Sequence, residues 1–274
     1  MPSFAEQACG LGENDCQIKL GKYHIELPSR SDETTKIPAM IYFHGAGGSG
    51  KRSLKNREMV ETFLSRGYAV IAPSGLKRPN SKFGPGWSFH PNFPARRDEL
   101  AFAKAVMRDA SAKFNLDRDN ILMTGFSIGG SLAWYLACQD PSVAKAYAPI
   151  AGAFWRPHPE ALDCAGPVKL LHTHGWQDGT VPLEGRPIGP IDNPRIVQGD
   201  VFHGLQVMRE VNGCKHLKAD KYETEGKFLK RWWTRCAPNS ALQFNLFPGG
   251  HSVTKGWAKE AIDWFEGLDK LQEE

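Results

Sequence analysis

Short apolar runs alternate along this chain with stretches whose apolar residues recur every three or four positions. Ala39-Met40-Ile41-Tyr42-Phe43 and Tyr68-Ala69-Val70-Ile71-Ala72, bounded by Gly and Pro, read as buried strands, and Lys55 to Arg66 between them carries helical spacing. The same rhythm predicts a helix over Asp98 to Phe114 and strands over Ile121 to Thr124, Lys145 to Ile150, Val168 to His172 and Leu242 to Phe247. Ser127 to Cys138 reads as a helix with Leu132, Ala133, Leu136 and Ala137 at amphipathic spacing. Ser252 to Leu271 closes the chain as a helix with Trp257, Ile262, Trp264 and Phe265 on its apolar face, and Gly21 to Pro28 is expected as an antiparallel strand at the sheet edge. Strand–helix alternation of this kind predicts an α/β fold, a mostly parallel central sheet flanked by helices, with its active site beyond the carboxyl ends of the strands.

Two stretches are too long and irregular to be simple connectors. Gly75 to Arg97 holds Phe83, Trp87, Phe89, His90 and Phe93 among glycines and prolines, and Pro182 to Val201 carries Gly185, Pro187, Gly189, Pro190 and Pro194. Long loops of this composition usually form covers or walls of binding sites, and both are expected on the catalytic side of the sheet.

At 274 residues the chain suits one large α/β domain spanning 1–274, and 41% hydrophobic with 23% charged residues is an ordinary globular composition. A net charge of +4 is too mild to indicate nucleic acid. No apolar run is long enough to span a membrane, and Met1-Pro2-Ser3-Phe4-Ala5-Glu6 lacks the charged-then-apolar pattern of a signal segment. The six cysteines are even in number, and although many pairings are formally open, spacing favours Cys9–Cys16, Cys138–Cys164 and Cys214–Cys236. Disulfides would place the protein in a secreted or periplasmic compartment as a mature or trimmed chain; buried free thiols in a cytosolic enzyme are the competing reading.

Chemistry enters at Gly125-Phe126-Ser127-Ile128-Gly129, which follows the strand ending at Thr124 and opens a helix. A serine on a sharp strand-to-helix turn needs small flanking residues so that the two elements can pass, and Gly125 and Gly129 supply them. A serine hydroxyl attacks only when an imidazole removes its proton and a carboxylate orients that imidazole. Asp178, after the strand beginning at Val168, and His251, after Pro248-Gly249-Gly250, stand in the order Ser, Asp, His that this architecture uses. Negative charge on a tetrahedral intermediate would be held by the backbone N–H of Ile128 and by that of Ala46 in His44-Gly45-Ala46-Gly47-Gly48. A phosphate-binding reading of Gly48-Ser49-Gly50-Lys51-Arg52 fails because Arg52 stands where Ser or Thr must be. His172 and His174 alternate on one strand without a third ligand nearby, which suits packing or hydrogen bonding better than metal binding; no metal and no cofactor are expected. Asp163, Asp192, Asp200, His24, His203 and His216 are weaker candidates by position.

Trp87, Trp155 and Trp176 come from three loops at the catalytic edge and are candidates, with His90, for contact with a phenolic or sugar ring. The segment Lys215 to Arg235, with Trp232-Trp233 between two cysteines, reads as a solvated basic stretch anchored by buried tryptophans rather than as a surface for anionic polysaccharide.

Taken with Tyr23 to Pro28, His44-Gly45, Arg97-Asp98-Glu99, His174 to Pro182 and Asn212-Gly213-Cys214, these motifs make the chain resemble, over nearly its whole length, the polyhydroxybutyrate depolymerase and feruloyl esterase group, which is similar to carbohydrate esterase family 1. The resemblance implies a secreted α/β-hydrolase fold and a triad of Ser127, Asp178 and His251 cleaving carboxylic esters through an acyl-enzyme. Feruloyl, acetyl and short hydroxyalkanoate esters are all implied substrates, soluble or polymeric, with no nucleic acid or membrane partner. A peptidase or lactone hydrolase on the same fold, or a binding protein that kept the fold, are the alternatives.

Overall fold

The computed structural model describes residue 9 and residues 14–29, 34–77, 84–188 and 196–268. Phe83, Gly189, Pro190, Asp192, Pro194 and Leu271 lie outside the described residues. In chain order the elements begin with β1 (Cys16–Ile18), β2 (Gly21–Glu26), β3 (Ile37–Phe43), α1 (Gly50–Ser53), α2 (Arg57–Ser65) and β4 (Ala69–Pro73). The short β5 (Leu76–Lys77) and β6 (Pro85–Gly86) precede α3 (Glu99–Phe114), β7 (Leu116–Phe126), α4 (Ile128–Gln139), β8 (Ala146–Ile150), β9 (Trp155–Arg156) and β10 (Lys169–Gly175). Then follow β11 (Arg186–Ile188), β12 (Ile196–Gln198), α5 (Val201–Val211), β13 (Lys221–Glu225), β14 (Phe228–Trp233), β15 (Ala241–Phe247) and α6 (Trp257–Gly267).

The main sheet runs β1-β2-β4-β3-β7-β8-β10-β15-β14-β13. Its centre, from β4 to β15, is parallel, while β1–β2 and β13–β14 add an antiparallel pair at either edge. This is the α/β-hydrolase arrangement. Strand alternation splits the interior into two layers. Ile41, Phe43 and Met123 pack with Phe102, Val106 and Leu205 of α3 and α5, whereas Met40, Val70 and Leu122 pack with Phe63, Ile262 and Phe265 of α2 and α6. Side chains cap the helices: Asp98 accepts from Ala101 N–H and Asn56 from Met59 N–H, and Asn115 at φ 53° ends α3.

The expected strands and helices are present, with five differences. β7 starts at Leu116 rather than Ile121, because Leu116 already pairs with Ile37 of β3 ahead of the apolar run. β2 is covered by β1, which the Cys9–Cys16 bridge ties to the N-terminal segment, so Gly21–Glu26 is not the outermost strand. The last helix starts at Trp257 rather than Ser252 because Gly256 sits in the left-handed region at φ 84°. α4 is buried on all sides from Gly129 to Cys138, with no polar face, because the sheet and the loop around Phe154 and Trp155 enclose it. Part of the basic segment Lys215 to Arg235 forms the β13–β14 hairpin; Trp233 is buried there, Trp232 only half-buried. Its inward position Lys230 pairs with Glu225 and Glu260 while Leu229 faces solvent, which inverts the usual strand pattern.

The three cysteine pairs are bonded as spacing suggested. Among the described residues no helix is long and apolar enough to cross a membrane. The disulfides are consistent with a secreted or periplasmic protein.

Candidate active site

The chain passes from β3 outward to β4 and then returns across β3 to β7, so the connections after β3 and β7 leave in opposite directions. A crevice opens at such a reversal, at the carboxyl ends of the strands. Ser127 stands at that point, immediately after β7, with φ 58° and ψ −123°. This backbone is costly for any residue with a side chain, about 1–3 kcal/mol, and persists only where surrounding structure imposes it. Ser127 N–H donates to Ile150 C=O at 3.0 Å and Ser127 C=O accepts from Ser131 N–H at 2.9 Å, pinning the turn to β8 and α4. A Cβ on Gly125 would lie 2.3 Å from Gly129 C=O, and one on Gly129 only 2.1 Å from Phe43 C=O. The elbow therefore closes only with glycine at both places.

Ile128 opens α4, where backbone N–H groups have no acceptor within the helix and carry its positive end. The turn after β3 faces it. Gly48 N–H donates to Gly45 C=O, Gly47 N–H to Pro85 C=O, and the Trp87 indole to His44 C=O. His44 Nε2 accepts from Gly75 N–H at 2.9 Å, so its Nδ1 is the donor to Gly45 C=O at 2.7 Å. Burial outweighs that bond and holds the His44 imidazole below its usual pKa, leaving it neutral. Ala46, Ile128 and Ser127 line one cavity.

The acid and base candidates meet because β10 and β15 remain hydrogen-bonded past their ends. Trp176 N–H donates to Phe247 C=O and Gln177 N–H to Gly249 C=O, and a Cβ on Gly175 would lie 2.4 Å from both Gly249 and Gly250 C=O. That close approach sets His251 Nδ1 2.7 Å from Asp178 Oδ2. Asp178 Oδ1 accepts from Thr180 N–H at 2.9 Å and Val181 N–H at 2.8 Å. Burial pushes the Asp178 carboxyl up, yet the bonds from His251 and Val181 outweigh it and hold the carboxyl below its ordinary range. The His251 ring lies against Phe126, centroids 4.6 Å apart, which brings it to the residue preceding Ser127.

The cavity at Ser127 measures about 260 Å³. Trp87, Phe93, Trp155, Ile188 and Ile196 give it an apolar wall, and His90 lines it as well. Trp87 and Trp155 are 2% and 8% exposed, whereas Trp176 is 63% exposed and does not line this cavity. Of the aromatic wall expected from sequence, Trp87 and Trp155 are brought together. Trp176 is held apart on the β10–β15 side because its backbone continues the ladder and turns the indole to solvent. Thr180, Arg186 and Gln198 also line the cavity. They were not legible as site residues: the loop from Pro182 to Val201 was, but not that Gln198 pairs with Trp155 across the β9–β12 ladder. Among the described residues no group of three or more His, Cys, Asp or Glu is placed to hold a metal. His172 and His174 instead hydrogen-bond to each other at 2.9 Å.

The family model BD-FAE matches residues 24–147, a segment that holds Ser127 and ends before Asp178 and His251. NocK of Nocardia uniformis subsp. tsuyamanensis is 28% identical over 163 residues, covering 58% of this chain and 45% of that protein. Feruloyl esterase C of Emericella nidulans is 24% identical over 220 residues, 73% of each chain. This chain spans about half the length of the first curated relatives it matches. Acetyl xylan esterase from Aspergillus awamori superposes with a TM-score of 0.63 at 14% identity, over 89% of this chain and 93% of that one. The chain thus has the α/β-hydrolase fold and is related in sequence to feruloyl esterases.

Proposed function

We propose that this chain is a serine carboxylic-ester hydrolase acting through an acyl-enzyme, with Ser127 as nucleophile, His251 as general base and Asp178 as the acid that orients it. The observation that carries the reading is the Asp178–His251 bond of 2.7 Å, whose imidazole packs on Phe126, the residue before Ser127, while Ser127 itself lines a cavity. Asp178 binding Nδ1 fixes the tautomer that leaves Nε2 free to take the Ser127 hydroxyl proton. The Ser127 alkoxide adds to the ester carbonyl, and the amides of Ile128 and Ala46 hold the oxyanion. The proton then passes from His251 to the departing alcohol, and water, activated by the same imidazole, releases the acid.

The acyl group enters the apolar cavity. About 260 Å³ lies just below the roughly 300–1000 Å³ of ordinary small-molecule pockets, which favours a short or single-ring acyl group over a long chain. Feruloyl and acetyl esters fit this best, and the names of the relatives point the same way; a short hydroxybutyrate ester is the remaining acyl candidate. A panel of p-nitrophenyl acetate, methyl ferulate and methyl 3-hydroxybutyrate, run beside aminoacyl amides, tests the reading. Ester turnover should dominate, a fluorophosphonate should label Ser127, and Ser127→Ala should abolish both while leaving the melting temperature near that of the parent. Amide turnover above ester turnover, or an unlabelled serine, refutes it.

A further inference from the structure

Beside Asp178 lie two imidazoles that the triad does not use. His172 and His174 project from the same face of β10, two residues apart, and both are completely buried. They form a continuous string. Trp134 Nε1 of α4 is 3.3 Å from His172 Nδ1, His172 Nε2 is 2.9 Å from His174 Nδ1, and His174 Nε2 is 2.8 Å from Val181 C=O and 3.5 Å from Asp178 Oδ2.

The ends of the string decide which way its protons point. The indole can only donate and the Val181 carbonyl can only accept. With His172 Nδ1 bare, Trp134 donates to it, His172 Nε2–H donates to His174 Nδ1, and His174 Nε2–H donates to Val181 C=O. One mismatch remains, between His172 Nδ1 and Pro149 C=O at 3.1 Å. The reverse direction satisfies Pro149 but sets two donors face to face at Trp134 and a bare nitrogen 2.8 Å from Val181 C=O. A doubly protonated His172 is disfavoured because burial, reinforced by His174, holds its pKa well below the usual value. Burial likewise holds His174 low, against the pull of Val181 C=O and Asp178. Both rings are neutral, and the string runs one way, from α4 to the acid loop.

We propose that this one-way string makes His174 a positioning residue for Asp178. Its Nε2–H anchors Val181, whose own N–H holds Asp178 Oδ1, and its ring stands 3.5 Å from the Oδ2 that grips His251. The nucleophile helix α4 and the acid loop are thereby joined through buried side chains as well as through the sheet. The inference rests on the role given to Asp178 under the proposed function, and its test reads the Asp178–His251 grip directly, apart from ester turnover.

Two substitutions remove the Nε2–H: His174→Leu, and His174→Asn, whose amide reaches only the Nδ1 position. His174→Gln restores a donor near Nε2. In the Leu and Asn variants kcat should fall about tenfold or more, as for loss of a hydrogen-bonded support behind a reactive group, with KM little changed. The downfield proton resonance of the Asp178–His251 bond should move upfield or vanish. Gln should retain most of both, and thermal melts show which variants are folded. Unaltered kcat and resonance in a folded Leu or Asn variant overturns the proposal, as does a Gln variant as impaired as Leu. Failure of the esterase reading itself appears separately, as wild-type protein that a fluorophosphonate does not label.

Discussion

Gly129→Ala isolates the elbow without touching a catalytic group. The new methyl would sit 2.1 Å from Phe43 C=O, 2.6 Å from the Phe43 carbonyl carbon and 2.7 Å from His44 C=O. Restoring a separation of roughly 3.5 Å demands a shift of about 1.4 Å between α4 and β3. Neither element yields easily: β3 is paired on both sides, and α4 is enclosed. Overpacking a core costs about 1–3 kcal/mol when side chains absorb it, and here the obstacle is backbone, so a loss of about 3 kcal/mol is expected. For a domain of this size that lowers the melting temperature by about 6 °C or more. The same shift moves the Ile128 amide and Ser127 relative to Ala46, and a misplacement of about 1 Å costs on the order of 100-fold in turnover. Calorimetry and fluorophosphonate labelling rates measure the two effects. Gly267→Ala, whose Cβ would meet nothing within 4 Å, serves as control. A Gly129→Ala protein with parental melting temperature and labelling rate would refute the steric account of the elbow.

Arg97→Met should cost about 3–5 kcal/mol in urea unfolding, because it strands Glu99, whose side chain is 3% exposed and is bonded by Arg97 at 2.8 and 2.9 Å. Adding Glu99→Leu should recover much of that loss; simple additivity would show that the pair does not act as a unit. His158 is held at about 4, chiefly by burial and then by His203 and Arg156, below its ordinary 6.5. The folded state thus prefers the neutral ring, and stability falls as pH drops from 6.5 toward 4. His158→Gln should flatten that part of a melting-temperature-against-pH curve, and an unchanged slope would count against it. Serine replacement of Cys138 and Cys164, which are 26 residues apart, should cost about 3.5 kcal/mol by chain entropy, read as a lower urea midpoint.

The parts of the molecule built on backbone periodicity were legible in the sequence. β3, β4 and β8 are short apolar runs, β7 contains one at Ile121 to Thr124 behind a mostly polar start from Leu116 that the apolar pattern did not mark, and Ser127, Asp178 and His251 each follow a strand end, so order along the chain was enough to nominate them. What could not be read depends on tertiary partners. β13 is exposed at every position and β14 buries Lys230 while exposing Leu229, because Glu225 and Glu260 neutralise the lysine from other elements. Trp155 and Trp176 have similar settings in sequence, yet one is walled in by Phe89 and Tyr135 while the other extends the β10–β15 ladder and faces solvent. Sequence assigned His172 and His174 to packing or hydrogen bonding, but their direction required the distances to Trp134 and Val181.

On the proposed function, reaction and specificity rest on different classes of contact, but they are not independent. The elbow, the Ala46 turn and the Asp178–His251 approach are fixed by backbone hydrogen bonds and by glycines that admit no side chain. The cavity wall hangs on side chains, and its Trp155 is held by side chains of the helix that follows Ser127. Ser131, one turn beyond Ser127, accepts from the Trp155 indole at 3.0 Å and from Ala153 N–H at 3.2 Å. Tyr135, one turn further, bonds both the N–H and the C=O of Trp155 through its hydroxyl. Trp134, on the same helix, heads the histidine string that ends at the acid loop. α4 therefore begins at the proposed nucleophile, holds Trp155 of the wall from one side and meets the histidine string with another. A change in pocket shape large enough to move Trp155 pulls on residues one and two turns from Ser127. Changes of acyl selectivity are on this account least disruptive in β11 and β12, whose Ile188 and Ile196 line the cavity from strands paired with each other, and most disruptive at Trp155.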